Sequence, residues 1–140
     1  MEILYKTIIG GNMNKEEILE NMKNKAGFFK HNNMQIVDLE KAILKTEISN
    51  NSLNVYGIAH GGLIFGLGDN AMGLLLAATK KKGVTLSSTI NYLYPGKGKC
   101  LIAKPEIIKA GKTTAVLKAN IYDEEDHLVA IMNGTYYYID

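Results

Sequence analysis

The chain has 140 residues, of which 46% are hydrophobic and 21% are charged, and its net charge is +2. This length indicates one domain with a sizeable core, and so small a net charge favours neither a nucleic acid nor an acidic surface as partner. No stretch approaches the roughly 18 apolar residues of a membrane span. The N-terminus lacks a signal-peptide pattern, and the single cysteine, Cys100, excludes an intrachain disulfide. We therefore expect a cytoplasmic protein without a membrane partner.

Residues 1–32 are predicted to form an N-terminal segment with one short helix, ahead of a main domain over 33–140. In the stretch NKEEILENMKNKA, Asn14 is a suitable N-cap. Two glutamates follow in the first turn, where they favour the positive end of the helix dipole. The apolar residues of this stretch fall on one side, as in an amphipathic helix. Gly27 is predicted to end the helix.

The extended segments predict an antiparallel sheet. The stretch MQIVDLEKAILKTEI indicates two strands around a turn near Leu39–Lys41. After a central helix, four longer extended runs are separated by the turn-like stretches PGKG, AGK and DEEDH, so that successive strands are expected to pair antiparallel. The four runs are Val84–Tyr94, Lys99–Lys109, Lys112–Asp123 and Leu128–Ile139.

Two details describe how these strands sit in the sheet. Apolar residues alternate with more polar ones in the third long run, which predicts one buried face. The residues on that face are Ala115, Leu117, Ala119 and Ile121. Pro105 cannot donate a ladder hydrogen bond, so its strand should contain a bulge or lie at an edge there.

The central helix is predicted over Gly62–Thr79 and spans 18 residues, about 27 Å at 1.5 Å per residue. Its residues are apolar almost all the way round, apart from one narrow stripe. Such a helix must be buried on nearly every side. The fold class is therefore α+β, with an antiparallel sheet covering one long helix.

Asp69 is the feature of this helix that most needs an explanation. No other residue between His60 and Lys80 carries a full charge, and a buried carboxylate is costly unless it is paired, protonated or used. On a helical wheel, Gly62, Gly66 and Gly73 lie on the same side as Asp69. Glycines on that side allow something to approach closely. It could be another backbone, a partner subunit or a substrate. At this point, tight helix packing with Asp69 merely hydrogen-bonded and a functional role for Asp69 are both open.

The sequence HGG precedes the first helical turn and predicts an oxyanion site. The first backbone N–H groups of a helix have no partner within it, and the positive end of the helix dipole points the same way. Gly61 and Gly62 have no side chains that would shield these donors from a substrate. His60 could brace the loop or transfer protons. A carboxylate and an oxyanion hole are the components of acyl-transfer chemistry.

These residues resemble the hotdog-fold acyl-CoA thioesterases of the phenylacetate-pathway type, the PaaI-like family. The pattern N-x-x-G-x-x-H-G-G runs from Asn54 to Gly62, and G-D-N-A follows around Asp69. The stretches GVTLSSTINYLYPGKG and VAIMNGTYYYI are similar to later strands of the family, so the resemblance spans roughly residues 33–139. Gly68 is a departure, because the family often has alanine before the aspartate. The resemblance implies a hotdog fold, in which an antiparallel sheet wraps around one long central helix.

The resemblance also implies a role for each matched residue. Asp69 corresponds to the catalytic carboxylate, which acts as a nucleophile or as a general base for water. The N–H of Gly61 corresponds to the oxyanion donor, and Asn54 to a residue that holds the water or the carboxylate. His60 corresponds to a residue that orients the loop. Thr85 lies where some members place a hydroxyl group in the substrate site.

The function that follows is hydrolysis of a small or medium acyl-CoA, aromatic acyl groups included, to a free acid and CoA. The resemblance further implies a homodimer with shared active sites, paired again into a tetramer. Nothing in the sequence has the spacing of a metal site, and no cofactor is expected. One alternative is a non-catalytic acyl-CoA sensor, although the N-terminal helix is too short and too acidic to bind DNA. Another is a hotdog hydratase, which would need a different pairing of Asp and His.

Overall fold

The computed structural model describes residues 20, 22, 24, 26–79, 81 and 83–139. The predicted N-cap Asn14 and most of the first predicted helix lie outside these residues. Glu20, Met22 and Asn24 are helical, but the backbone of Ala26 is not. The first helix therefore stops beside the predicted Gly27, but a second short helix that was not predicted, α1, occupies Gly27–His31.

The short helix α1 begins where it does because Phe29 packs into the hydrophobic core, where only 6% of it remains exposed. A glycine followed by two phenylalanines therefore starts a new packed element directly after the previous helix has ended. Tertiary burial stabilises a helix that the local sequence does not predict. The boundary at residues 32 and 33 between an N-terminal segment and a main domain stays a prediction.

The first two strands confirm the predicted pair. Strand β1 is Met34–Asp38 and strand β2 is Ile43–Glu47, and they run antiparallel. The turn between them is closed by the N–H of Lys41, which donates to Asp38 Oδ1 over 3.0 Å.

The four longer strands are also confirmed, with ends that differ by at most two residues from those predicted. All strands pair antiparallel in one six-stranded sheet of order β1-β2-β4-β5-β6-β3. Strand β3 therefore lies at one edge of the sheet, beside β6. The four strands are β3 (Gly83–Tyr92), β4 (Cys100–Ala110), β5 (Thr114–Asp123) and β6 (Leu128–Tyr138).

Strand β5 shows the predicted alternation, because every second residue is buried. The four buried apolar residues are those predicted: Ala115, Leu117, Ala119 and Ile121. Pro105 lies on β4 beyond Ala103, where the pairing of β4 with β2 ends. Its missing N–H therefore costs no hydrogen bond to β2, as the prediction of a local edge required.

The long helix, α2, covers Gly61–Ala77 and packs against β2 to β6 on one face of the sheet. It begins one residue earlier and ends two residues earlier than predicted. Leu67, Ala71 and Met72 are completely buried, whereas Gly62 remains exposed and Gly73 half-buried. The glycine side is thus only partly covered, since Gly66 on that side is buried. Within the described residues, no helix is both long enough and apolar enough to cross a membrane.

Candidate active site

The carboxylate of Asp69 is held by two hydroxyl groups. Thr85 Oγ1 and the Tyr136 hydroxyl each donate to Asp69 Oδ1 over 2.7 Å. The same Tyr136 hydroxyl lies 3.1 Å from the main-chain oxygen of Asp69 and donates to it as well. Because both donors converge on one oxygen, they fix the rotamer of the carboxylate.

The two donors reach Asp69 together because of the register of the sheet. Thr85 on β3 and Tyr136 on β6 lie directly opposite each other, and opposite residues of paired strands point to the same face. Tyr136 is only 2% exposed, whereas Thr85 is exposed. The sequence suggested Thr85 for this site but missed Tyr136, which looked like an ordinary strand tyrosine. Only the register of β3 against β6 could have identified it.

The second carboxylate oxygen, Asp69 Oδ2, has no hydrogen-bond donor among the described residues. Asp69 itself is half-buried on the glycine side of α2. Nothing lies within 4 Å of a Cβ placed on Gly73, one turn further along this side. The glycine side one turn beyond Asp69 therefore leaves room for a molecule to approach.

The loop before α2 is closed by His60. This residue is the N-cap of the helix, and its Nδ1 accepts a hydrogen bond from the N–H of Gly62 over 2.8 Å. This hydrogen bond agrees with a loop-orienting role for His60, and it uses the backbone N–H of Gly62. Binding of a substrate by Gly62 stays a prediction and cannot use that N–H while the cap is in place. The N–H of Gly61 has no acceptor within the part of the chain that the structure describes.

Asn54 organises the turn ahead of this loop. Its side-chain oxygen accepts the N–H of Tyr56 over 2.9 Å and that of Ile58 over 3.4 Å. Gly57 follows with a φ of +74°, a conformation that glycine adopts without steric cost. The oxygen of Asn54 is thus used locally, while its amide nitrogen makes no hydrogen bond to any described residue.

Tyr92 covers the start of α2 and was not found from the sequence. Its hydroxyl donates to the carbonyl oxygen of Gly61 over 2.8 Å. A Cβ placed on Gly61 would lie 3.0 Å from the same hydroxyl oxygen, so glycine is what permits this close contact. Partial burial raises the pKa of Tyr92, which keeps the phenol protonated and able to donate.

A cavity of about 410 Å³ opens beside Gly61. Its lining includes Asn54 and a wall of aromatic and apolar side chains, among them Ile64, Tyr92 and Tyr94. This volume suits part of a small organic molecule. Its mixed lining, with Gly61 at one side, makes it a candidate substrate site.

The wall residue Tyr94 is supported from outside the cavity. Its ring stacks on His127 with 4.4 Å between the ring centres, and His127 Nδ1 lies 2.8 Å from Asp123 Oδ2. Burial alone would raise the pKa of Asp123. Hydrogen bonds from the backbone and ring of His127 and from the backbone of Glu125 outweigh that effect and hold the pKa below its ordinary value.

Within one chain, the predicted site residues fall into two groups. Asn54, His60, Gly61 and Gly62 lie at or just before the start of α2. Asp69 lies further along this helix, and Thr85 on β3 bonds to it. Asp69 follows Gly61 by eight residues, which is about 12 Å along the helix axis. A reacting carbonyl must sit about 3 Å from both its attacking group and its oxyanion donors. One copy of the chain cannot place both groups around the same carbonyl.

The structure gives little support to catalysis by a cysteine nucleophile or by a metal ion. Burial, and after it the nearby Glu124, raise the pKa of Cys100, with smaller contributions from other charged neighbours. A raised pKa keeps the thiol protonated and makes it a poor nucleophile. Among the described residues, no group of three or more His, Cys, Asp or Glu side chains could hold a metal ion.

Comparison with known families and proteins gives consistent results. A family model described as the thioesterase superfamily matches residues 56–130. Human acyl-coenzyme A thioesterase 13 is 30% identical over 84 residues, which cover 58% of this chain and 60% of that protein. The chain therefore spans less than two thirds of the length of that relative.

Solved structures share the fold. The Escherichia coli PaaI protein from the phenylacetic acid degradation operon superimposes with a TM-score of 0.81 over 86% of this chain and 90% of its own, at 23% identity. A hypothetical thioesterase from Streptococcus pneumoniae, solved with coenzyme A, is 36% identical, with a TM-score of 0.72 over 76% of this chain and 85% of its own. The same protein was also solved with an aspartate or a threonine replaced by alanine, at positions 16 residues apart.

Proposed function

Because the chain belongs to the thioesterase superfamily, we propose that it hydrolyses small and medium acyl-CoA thioesters, aromatic acyl groups included, to a free acid and CoA. The observation that carries this proposal is the Asp69 carboxylate, which is fixed through one oxygen and open at the other. The solved relative that holds coenzyme A supports the choice of a CoA thioester.

The relative from Streptococcus pneumoniae also supports the pairing of Asp69 with Thr85. The aspartate and threonine replaced in that protein are 16 residues apart, as Asp69 and Thr85 are here. We infer that the same two positions were altered in the relative, and that Asp69 and Thr85 form one functional pair.

In the proposed reaction, Asp69 Oδ2 faces the thioester carbonyl carbon. The carboxylate either takes a proton from a water molecule, whose oxygen attacks the carbon, or attacks the carbon itself to form an anhydride that water then cleaves. In both routes the carbonyl oxygen becomes negative and accepts the N–H of Gly61. Collapse of this intermediate breaks the C–S bond, which gives the free acid in the first route and the anhydride, before water cleaves it, in the second. The CoA thiolate takes the proton that Asp69 removed from the water in the first route, or a proton from the water that cleaves the anhydride in the second.

We propose that two chains share each site. The roughly 12 Å between Gly61 and Asp69 along α2 prevents both from acting on one carbonyl within a chain. A two-fold dimer would place Asp69 of one chain opposite Asn54 and Gly61 of its partner, and would create two equivalent sites. His60 holds the loop in place, and Thr85 holds the carboxylate. A second pairing of such dimers would give the tetramer.

The exposed edge of β3 supports such a dimer. This strand is ten residues long and, among the described strands, pairs with β6 alone and lies at the sheet edge. It exposes apolar side chains, with Leu86 63% and Tyr92 50% exposed. Long apolar edges are usually covered in native proteins. Antiparallel pairing of β3 with its copy would cover this edge.

The activity can be tested with a panel of acyl-CoA substrates and a reagent for the released thiol. We expect turnover of short, medium and aryl-substituted acyl-CoA thioesters by the wild type and little by Asp69→Asn. Binding of acyl-CoA without thiol release would instead indicate a sensor. Release of thiol by Asp69→Asn at the wild-type rate would show that Asp69 is not the catalytic group.

The shared site can be tested by mixing two inactive variants, Asn54→Ala and Asp69→Ala. In a mixed dimer, one site carries both defects and the other carries none. Equal random mixing makes about half of the dimers mixed, so activity should return to about one quarter of the wild-type value. Subunit exchange must be verified, for example by native mass spectrometry of tagged chains. Verified mixed dimers without activity would contradict a shared site.

A further inference from the structure

The ring of Phe28 lies against the same helix side as Asp69. It belongs to α1 and reaches across to Gly66 of α2, where a Cβ would come within 2.7 Å of the ring atoms Cε1 and Cζ. The phenyl ring thus occupies the place where a side chain of residue 66 would stand. Glycine at this position is what allows the contact.

The position of Gly66 brings this ring close to the proposed reaction centre. Gly66 and Asp69 are three residues apart, and side chains at that spacing are neighbours on one helix face, about 5–6 Å apart at Cβ. Helical side chains also lean towards the N-terminus of their helix, which directs Asp69 towards the turn that the ring covers. The side-chain amide of Asn70 donates to the Gly66 carbonyl over 2.8 Å.

Despite this contact, 55% of Phe28 is exposed. An exposed aromatic surface beside a carboxylate is suited to an apolar group that belongs to the same ligand as the reacting atom. Phe28 also lies outside residues 56–130, which match the thioesterase family model. The ring is therefore a feature of this chain beyond the matched family region.

We propose that Phe28 forms a wall of the acyl-binding site and determines acyl specificity, an inference that rests on the thioesterase function proposed above. The substrate class that follows is an acyl group with an apolar portion beyond its α-carbon, such as a medium straight chain or an arylacetyl group. An acetyl group ends one carbon after the carbonyl and gains little from this wall. Selectivity for longer acyl groups should therefore depend on the ring.

The test measures kcat/KM for hexanoyl-CoA, phenylacetyl-CoA and acetyl-CoA. For Phe28→Ala, the ratio of hexanoyl-CoA to acetyl-CoA should fall about 10-fold, as expected when an apolar contact is lost from a specificity pocket. Phe28→Leu should keep most of the ratio because it retains apolar bulk. Val37→Ala is a matched control, since Val37 is also exposed, at 58%, but lies on the edge strand β1.

Gly66→Ala provides an independent test that leaves Phe28 in place. The added methyl group must push the ring away from the helix into the acyl space, so the ratio should again fall. In a Phe28→Ala background the same methyl group meets no ring and should change the ratio by less than about twofold. Such non-additivity is expected only of residues in contact.

Several results would overturn the proposal. One is a hexanoyl-CoA to acetyl-CoA ratio in Phe28→Ala that stays within about twofold of the wild-type ratio. Another is an equal fall of this ratio in Val37→Ala. Dissociation of the Phe28→Ala oligomer, measured by size-exclusion chromatography, would make Phe28 an interface residue instead of an acyl wall. If the wild type hydrolyses none of the three substrates, the thioesterase function itself fails. If Asp69-dependent hydrolysis persists with an unchanged ratio, only the role of Phe28 fails.

Discussion

The loop before α2 and the carboxylate two turns along it are built in opposite ways. The loop closes through contacts between neighbours in the chain, such as the bond from Gly62 to His60 and those from Tyr56 and Ile58 to Asn54. Asp69 instead depends on groups 16 and 67 residues away. Local sequence can therefore specify these loop contacts, although Tyr92 and Gly96 also bond the loop from a distance in the chain. The setting of the carboxylate depends entirely on how the sheet is assembled.

Asp69→Ala is expected to have the largest effect on turnover, because it alters the carboxylate region and leaves the loop region unchanged. It removes the carboxylate but leaves every contact of the loop, so turnover should fall by at least about 10³-fold while the loop stays folded. The measurement is thiol release from acyl-CoA, with thermal unfolding as a control. A variant that retains wild-type turnover would remove Asp69 from the mechanism.

Gly61→Pro deletes the N–H that we assign to the oxyanion. Loss of one such donor typically costs about 10²–10³-fold in turnover. Proline suits the first turn of a helix, and His60 before it is extended, with a ψ of 138°. Gly61→Ala is the matched control. Like proline it places a Cβ against Tyr92, but it keeps the N–H. Equal activities of the two variants would mean that the N–H is not used.

Asn54 can be tested for a role beyond the loop. Asn54→Asp keeps an oxygen that accepts the two loop N–H groups, but it loses the amide donor and adds a negative charge. We expect it to retain its unfolding temperature but to lose about 10–100-fold in turnover, whereas Asn54→Ala should also lose about 1–2 kcal/mol of stability. Full activity in Asn54→Asp would limit this residue to a structural role.

Tyr136→Phe removes one of the two donors that fix Asp69 and preserves the buried ring. A misplaced carboxylate should lower kcat about 10-fold with little change in KM, as for the loss of one hydrogen bond. Thr85→Ala should act in the same direction, and Thr85→Ser should restore activity because it keeps the hydroxyl. Unchanged kcat in Tyr136→Phe would show that Thr85 alone suffices.

The smallest effect is expected at Asp123, which supports the cavity wall through His127. Asp123→Asn should lower stability at neutral pH by about 1–3 kcal/mol. The pKa of Asp123 is lowered in the folded state, so its contribution is present above the unfolded-state pKa and is lost as the pH falls through the folded value. The free energies of unfolding of the wild type and Asp123→Asn, measured from pH 7 to pH 3, should converge as the pH falls. A constant difference would contradict this linkage.

The helix break at Ala26 and the contact of Tyr92 with Gly61 show where local patterns fail. Gly27 is an ordinary helix stop by composition, yet burial of Phe29 starts a new helix there. Tyr92 is separated from Gly61 by 31 residues, and nothing in either local stretch indicates the contact. Long-range packing decided both features.

The sequence by itself determined the long apolar helix, the strands with their alternating faces and the isolated carboxylate at Asp69. Each of these depends on periodicity or composition within a short stretch, which a single chain displays without folding. The tertiary structure alone decided that Thr85 and Tyr136 meet on Asp69 Oδ1, and that Phe28 takes the place of a side chain at Gly66. These contacts depend on strand register and on the packing of separate elements. Because a shift of one residue in register turns a side chain to the opposite face, no local pattern could have specified them.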